Sequence, residues 1–145
     1  MEIVPNVHVV TSGQGALPGL PPPNVYLVIG TNQSAFIDTG YGHADEIMAQ
    51  LSLWDNLGKP DISTIILTHR HIDHIGGANR LHQATGGQIV SSTLEKGHID
   101  QSQKQFNVGR VVDDGEILDL GNTTLEIIYT PGHTLGSSCA VSYTH

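Results

Sequence analysis

The segment that most restricts the fold runs from residue 62 to residue 77. Residues 62–68 (ISTIILT) are apolar along nearly their whole length, as expected of a strand buried on both faces. That run feeds directly into His69-Arg70-His71-Ile72-Asp73-His74 and then Gly76-Gly77. A loop leaving such a strand can turn His69 and His71 toward one point while Asp73 and His74 reach a neighbouring one. Neutral imidazoles and carboxylates are the ligands that zinc prefers in open catalytic sites. The two glycines let the next helix begin close behind the loop. A solvated loop would account for one such histidine, but four ligand-type side chains in six positions point to a site.

The flanking pattern is mixed α/β, with strands and helices alternating loosely. Residues 3–10 alternate well enough for a strand, and residues 13–23 (GQGALPGLPPP) form an irregular loop. Residues 24–29 and 34–38 read as a hairpin turning at 30–33. Ala44, Ile47, Met48, Leu51 and Trp54 recur at helical spacing, and Gly58 and Pro60 close that helix. A short helix is expected from Gly77 to about Ala84, then a strand at 88–91. Residues 94–108 are ambiguous and partly helical in character. Strands at 117–120 and 123–129 lie between turn signals, and a last strand covers 138–143.

Two further segments complete a recognisable set. With Phe36-Ile37-Asp38-Thr39-Gly40 at a strand end and Thr130-Pro131-Gly132-His133-Thr134-Leu135-Gly136-Ser137 downstream, the sequence resembles the metallo-β-lactamase superfamily of metallohydrolases. It is most similar in character to the hydroxyacylglutathione hydrolase (glyoxalase II) and lactamase-like branches, over residues 24–138. The resemblance implies an αββα sandwich, of which residues 1–145 read as one C-terminally incomplete domain: the first half plus part of the second. It assigns His69, His71 and His133 to a first metal site and Asp73 and His74 to a second. Asp38 would orient ligands rather than bind metal, and Asp73 would also act catalytically, holding and shuttling a proton. The cofactor is one or two zinc ions, with iron or manganese as alternatives. The activity implied is hydrolysis of an ester, thioester, lactone or β-lactam carbonyl.

The family also has a bridging Asp and a final His beyond its third motif. The 12 residues after His133 contain no Asp, and His145 stands too early to serve as that His. The first site is therefore complete and the second half-built, which makes a metal-binding half-domain without turnover the alternative. Half a sandwich also exposes the sheet face that its partner should cover, so a second copy or the remaining half would be expected there. Asp38-Thr39-Gly40 matches an aspartic-protease signature as well, a reading that leaves the histidines idle and would show as an acidic optimum.

Composition excludes several other classes. Six Lys+Arg against 14 Asp+Glu give a formal charge of -8, wrong for a chain that neutralises phosphates or anionic lipid. A small-molecule substrate is expected instead. No apolar stretch approaches the ~20 residues of a membrane helix, and Met1-Glu2-Ile3-Val4-Pro5 does not begin a signal peptide, so the expected location is cytoplasmic. The single Cys139 allows no disulfide within the chain and is expected as a small buried residue of the last strand. His8 and His43 read as surface or packing residues, and His82 and His98 as lying on solvated helix faces.

Overall fold

Strands β3 (Asn24–Ile29), β4 (Ser34–Ile37) and β5 (Ile62–Leu67) are apolar on both sides, and each is buried between two layers. They form the middle of a seven-stranded sheet in the order β1-β2-β3-β4-β5-β6-β7, with β1 (Glu2–Val4), β2 (Val7–Thr11), β6 (Gln88–Ser92) and β7 (Arg110–Val112) outside them. Strands β1 to β4 pair antiparallel, whereas β4 to β7 pair parallel. Parallel neighbours require crossover connections, here supplied by α1 (Ala44–Asn56), the helices α2 (Ile72–Ile75) and α3 (Ala78–Thr85), and α4 (Thr93–Ser102). This is a computed structural model, and it describes residues 1–13, 15 and 17–144. His145, weighed above as a ligand, lies outside the described residues.

Side-chain alternation sorts the large sheet into two cores. Val25, Leu27, Phe36, Ile65, Leu67 and Ile89 pack against Ile47 of α1, Ile75 of α2, Ala78 and Leu81 of α3, and Ile99 of α4. Val28, Ala35, Ile66, Val90 and Val112 face the other way. They pack against Leu118, Leu125 and Ile127 of a second, antiparallel sheet made of β8 (Ile117–Asp119), β9 (Thr123–Tyr129) and β10 (Ser138–Thr144). The result is three layers, helices on sheet on sheet, in a mixed α/β fold. The second sheet thus covers the large sheet across β3 to β7, where an exposed face was expected. Near β1 a cleft of about 440 Å³ remains between the sheets, lined by Ile3, Val7, Tyr26, Ile37 and Ala140 among others.

Local differences from the sequence reading have local causes. The strand expected at 3–10 is split into β1 and β2 by Pro5-Asn6, where Asn6 takes a left-handed φ of 67°. The histidine loop contains a helical turn, α2, just ahead of the expected helix α3. The ambiguous stretch resolves into α4, capped by Ser92 Oγ accepting from the Glu95 N–H at 3.3 Å, followed by irregular chain. Strand β7 was not expected: three residues between turns carry no periodicity to read. Cys139 is exposed rather than buried, because β10 turns it to the outer face, opposite Ile128. Among the described residues, no helix is long and apolar enough to cross a membrane.

Candidate metal centre

The site is assembled where β4 and β5 end and where the β9–β10 loop meets them. Asp38 follows β4 in a left-handed conformation, φ 62°, with its N–H donating to the Ile66 carbonyl at 2.8 Å. That bend carries its carboxylate across the end of β5. Oδ1 accepts from the Thr68 N–H at 2.8 Å and, together with Oδ2, from the Thr68 hydroxyl at 2.9 and 2.8 Å. Oδ2 also lies 2.7 Å from His74 Nδ1. Because the one hydroxyl proton of Thr68 goes to Asp38, Thr68 Oγ1 can only accept from His69 Nδ1, 3.1 Å away. This bond assigns the proton of His69 to Nδ1 and leaves Nε2 with a bare lone pair. His69 Nε2 is buried and has no hydrogen-bond partner.

The next loop is locked from behind. Both the N–H and the hydroxyl of Thr39 donate to the His74 carbonyl at 2.8 Å, and Thr39 Oγ1 accepts from the Gly77 N–H at 3.0 Å. The segment around Tyr41 approaches so closely that a Cβ on Gly76 would stand 2.0 Å from the Tyr41 carbonyl oxygen. On the opposite side, Thr134 and Ser137 close the loop carrying His133: their hydroxyls lie 2.7 Å apart, and Ser137 Oγ accepts from the Thr134 N–H at 3.1 Å. The Ser138 N–H then donates to the Thr68 carbonyl at 3.0 Å, which pins the start of β10 to the end of β5.

These contacts bring His69, His71 and His133 together, with one ligand atom from each lying within 4.8 Å of the others. His71 Nδ1 and His133 Nε2 are 2.8 Å apart, the distance of a hydrogen bond whose proton either ring could carry. A cation held by both would replace it. The donor set, all imidazole with one orphaned buried nitrogen, fits a zinc-type ion. Burial, followed by the neighbouring His74, Asp38, His71 and His133, sets the pKa of His69; only Asp38 opposes the decrease, and the result is about 4. His69 is therefore neutral, as a ligand must be.

Asp73 and His74 sit beside this trio rather than in it. His74 Nε2 is 3.4 Å from Asp73 Oδ2, and its ring lies 4.1 Å from that of His69. Burial works against charge on His74, but the hydrogen bond to Asp38 and the charges of Asp38 and Asp73 outweigh it and raise its pKa. Asp38 is buried, with both oxygens occupied, which removes the aspartic-protease reading: no open carboxylate remains to share a proton with a second Asp. Thr68, which fixes the His69 tautomer, was missed in the sequence. Its only signal there is its place between the buried strand and the first histidine.

Comparison with known proteins agrees with this geometry. The sequence profile described as the Metallo-beta-lactamase superfamily matches residues 18–142. An atrochrysone carboxyl ACP thioesterase from Aspergillus fumigatus is 30% identical over 137 residues, covering 93% of this chain and 41% of the relative. A hydroxyacylglutathione hydrolase from Maricaulis maris is 33% identical over 109 residues, covering 75% and 38%. Among solved structures, a metallo-beta-lactamase from Pontibacter korlensis superposes with a TM-score of 0.81 at 23% identity, over 99% of this chain and 65% of that one. The MIM-1 enzyme from Novosphingobium pentaromativorans gives 0.69 at 28%, over 79% and 47%. The chain thus spans about two fifths of the length of these curated relatives.

Proposed function

The chain belongs to the metallo-β-lactamase superfamily, and on that premise we propose that it carries the metal centre of a hydrolase acting on a thioester or ester carbonyl. Zinc is the proposed ion, held by His69, His71 and His133. The observation that carries the reading is the buried, unpartnered Nε2 of His69 within a converging histidine trio. When bound, the ion supplies Lewis acidity and lowers the pKa of water.

The chain's own residues do the rest. Thr68 keeps His69 in the ligating tautomer, and Asp38 holds the His74 ring in place. Asp73, partly exposed beside His74, takes a proton at its carboxylate from the attacking water and returns it to the departing group. Thioesters are favoured because relatives over most of this chain are named for cleaving acyl–thiol compounds. Lactone and β-lactam carbonyls answer to the same chemistry. A small-molecule substrate and a cytoplasmic setting belong to this proposal, as does a second copy or the remaining half of the fold over the uncovered cleft.

Elemental analysis combined with thioester and ester assays tests the reading. One or two zinc ions per chain with chelator-sensitive turnover are expected. Stoichiometric zinc without turnover would favour a metal-binding half-domain, and no bound metal would overturn the proposal.

A further inference from the structure

His69 and His71 leave the large sheet, whereas His133 leaves the small one, so the trio depends on how the two loops are held relative to each other. Glu95, in the first turn of α4, is completely buried and touches both. Its Oε2 accepts from the N–H of Arg70, the residue between His69 and His71, at 2.9 Å. Its Oε1 accepts from the N–H of Gly136, three residues after His133, at 3.0 Å. Ser92 Oγ donates to the Gly136 carbonyl at 2.8 Å, so Gly136 is gripped through both of its peptide groups. A Cβ there would stand 2.6 Å from Glu95 Cγ and 2.7 Å from Ser92 Oγ.

Ser92-x-x-Glu95 has the spacing of a capping box, in which the Glu would reach back to the N–H of its own helix cap. Here the carboxylate oxygens accept instead from two distant loops, 25 and 41 residues away in sequence. A buried carboxylate is costly unless such donors satisfy it, and the two donors present belong to the two ligand-bearing loops.

We propose that Glu95 is a positioning residue for the metal centre, setting the distance between the His69–His71 loop and the His133 loop and thereby the affinity for the ion. The inference rests on the reading that the three histidines hold a metal. Glu95→Gln is nearly isosteric but turns an amide N–H₂ toward one of the backbone donors. Zinc affinity, measured by competition with a chromophoric chelator, is expected to fall about 10- to 100-fold in a variant with an unchanged far-ultraviolet circular dichroism spectrum. The visible absorption bands of the cobalt-substituted variant are expected to shift. Wild-type zinc affinity and an unaltered cobalt spectrum in E95Q would overturn the proposal, even if its melting temperature drops. Should E95Q fail to fold, Glu95→Asp provides the measurement, since it keeps the charge but is one methylene too short to reach both the Arg70 and Gly136 N–H groups. A several-fold loss of zinc affinity supports the proposal, and no loss overturns it. Wild-type protein that takes up no zinc would overturn the metal-centre reading and this one with it, whereas a zinc-binding wild type with an unaltered E95Q overturns this one alone.

Discussion

The proposed metal chemistry turns on one hydroxyl proton. Thr68 donates it in a hydrogen bond to Asp38, and Thr68 Oγ1 must then accept from His69. Thr68→Val keeps the shape but frees the His69 ring to change tautomer. Zinc affinity by chelator competition is expected to drop about tenfold or more, with the fold retained. The same histidine gives the metal-free protein a pH dependence. Its pKa of about 4 in the folded state lies below the ordinary 6.5, so the unfolded chain takes up this proton first as pH falls. Stability present above 6.5 is therefore lost as pH drops toward 4, with an upper limit of about 3 kcal/mol. His74 works in the opposite sense: its raised pKa favours the folded state at low pH, a gain lost as pH rises through that value. Metal-free urea unfolding at pH about 7.5 and about 5 separates the two: the acid loss should be smaller in His69→Gln than in wild type. The histidine cluster was legible because three of its four candidate members lie within six residues. Thr68 and Glu95 were not, because Asp38, Arg70 and Gly136 are brought to them only by the folded chain.

At the scale of elements, the ends of β4 and β5 matter more than the strands themselves. The register Ile37↔Ile66 places Asp38 and Thr68 side by side, and the Thr39 bonds then fix α2. The close passage of the Tyr41 backbone over Gly76 makes this packing intolerant of a methyl group. Gly76→Ala is expected to destabilise by about 1–3 kcal/mol, the usual cost of overpacking, read from urea midpoints, and to weaken zinc binding as well. The central strands and α1 were legible because long apolar runs and 3.6-residue periodicity survive in the sequence. The Pro5-Asn6 break and β7 were not, since a three-residue strand such as Arg110–Val112 is defined by its register on β6 rather than by pattern.

The whole molecule was legible as a class: its motifs announce the family, and the helix–sheet–sheet layering follows. The strands of the second sheet were read almost to the residue, but their placement over the first sheet was not. Strands β8 and β9 reach back over Ala35, Ile66 and Val90 and bury the face that half a sandwich was expected to leave bare. That arrangement divides the histidine trio between two layers: two histidines ride on one sheet and the third on the other, 62 residues further along from His71. Any ion they share is consequently a cross-link as well as a reagent. In the unfolded chain, a closure of that length costs about 4 kcal/mol of entropy, the same currency that a disulfide exploits. Metal uptake should therefore stiffen the molecule far from the histidines themselves. Amide protons of β9 and β10 are expected to exchange more slowly with deuterium in the zinc-loaded protein than in the chelated one, while those of β3 change little. Equal slowing in both sheets, or in neither, would show that the ion does not clasp them. A centre described for its chemistry would then also be the rivet that decides how tightly the two layers close.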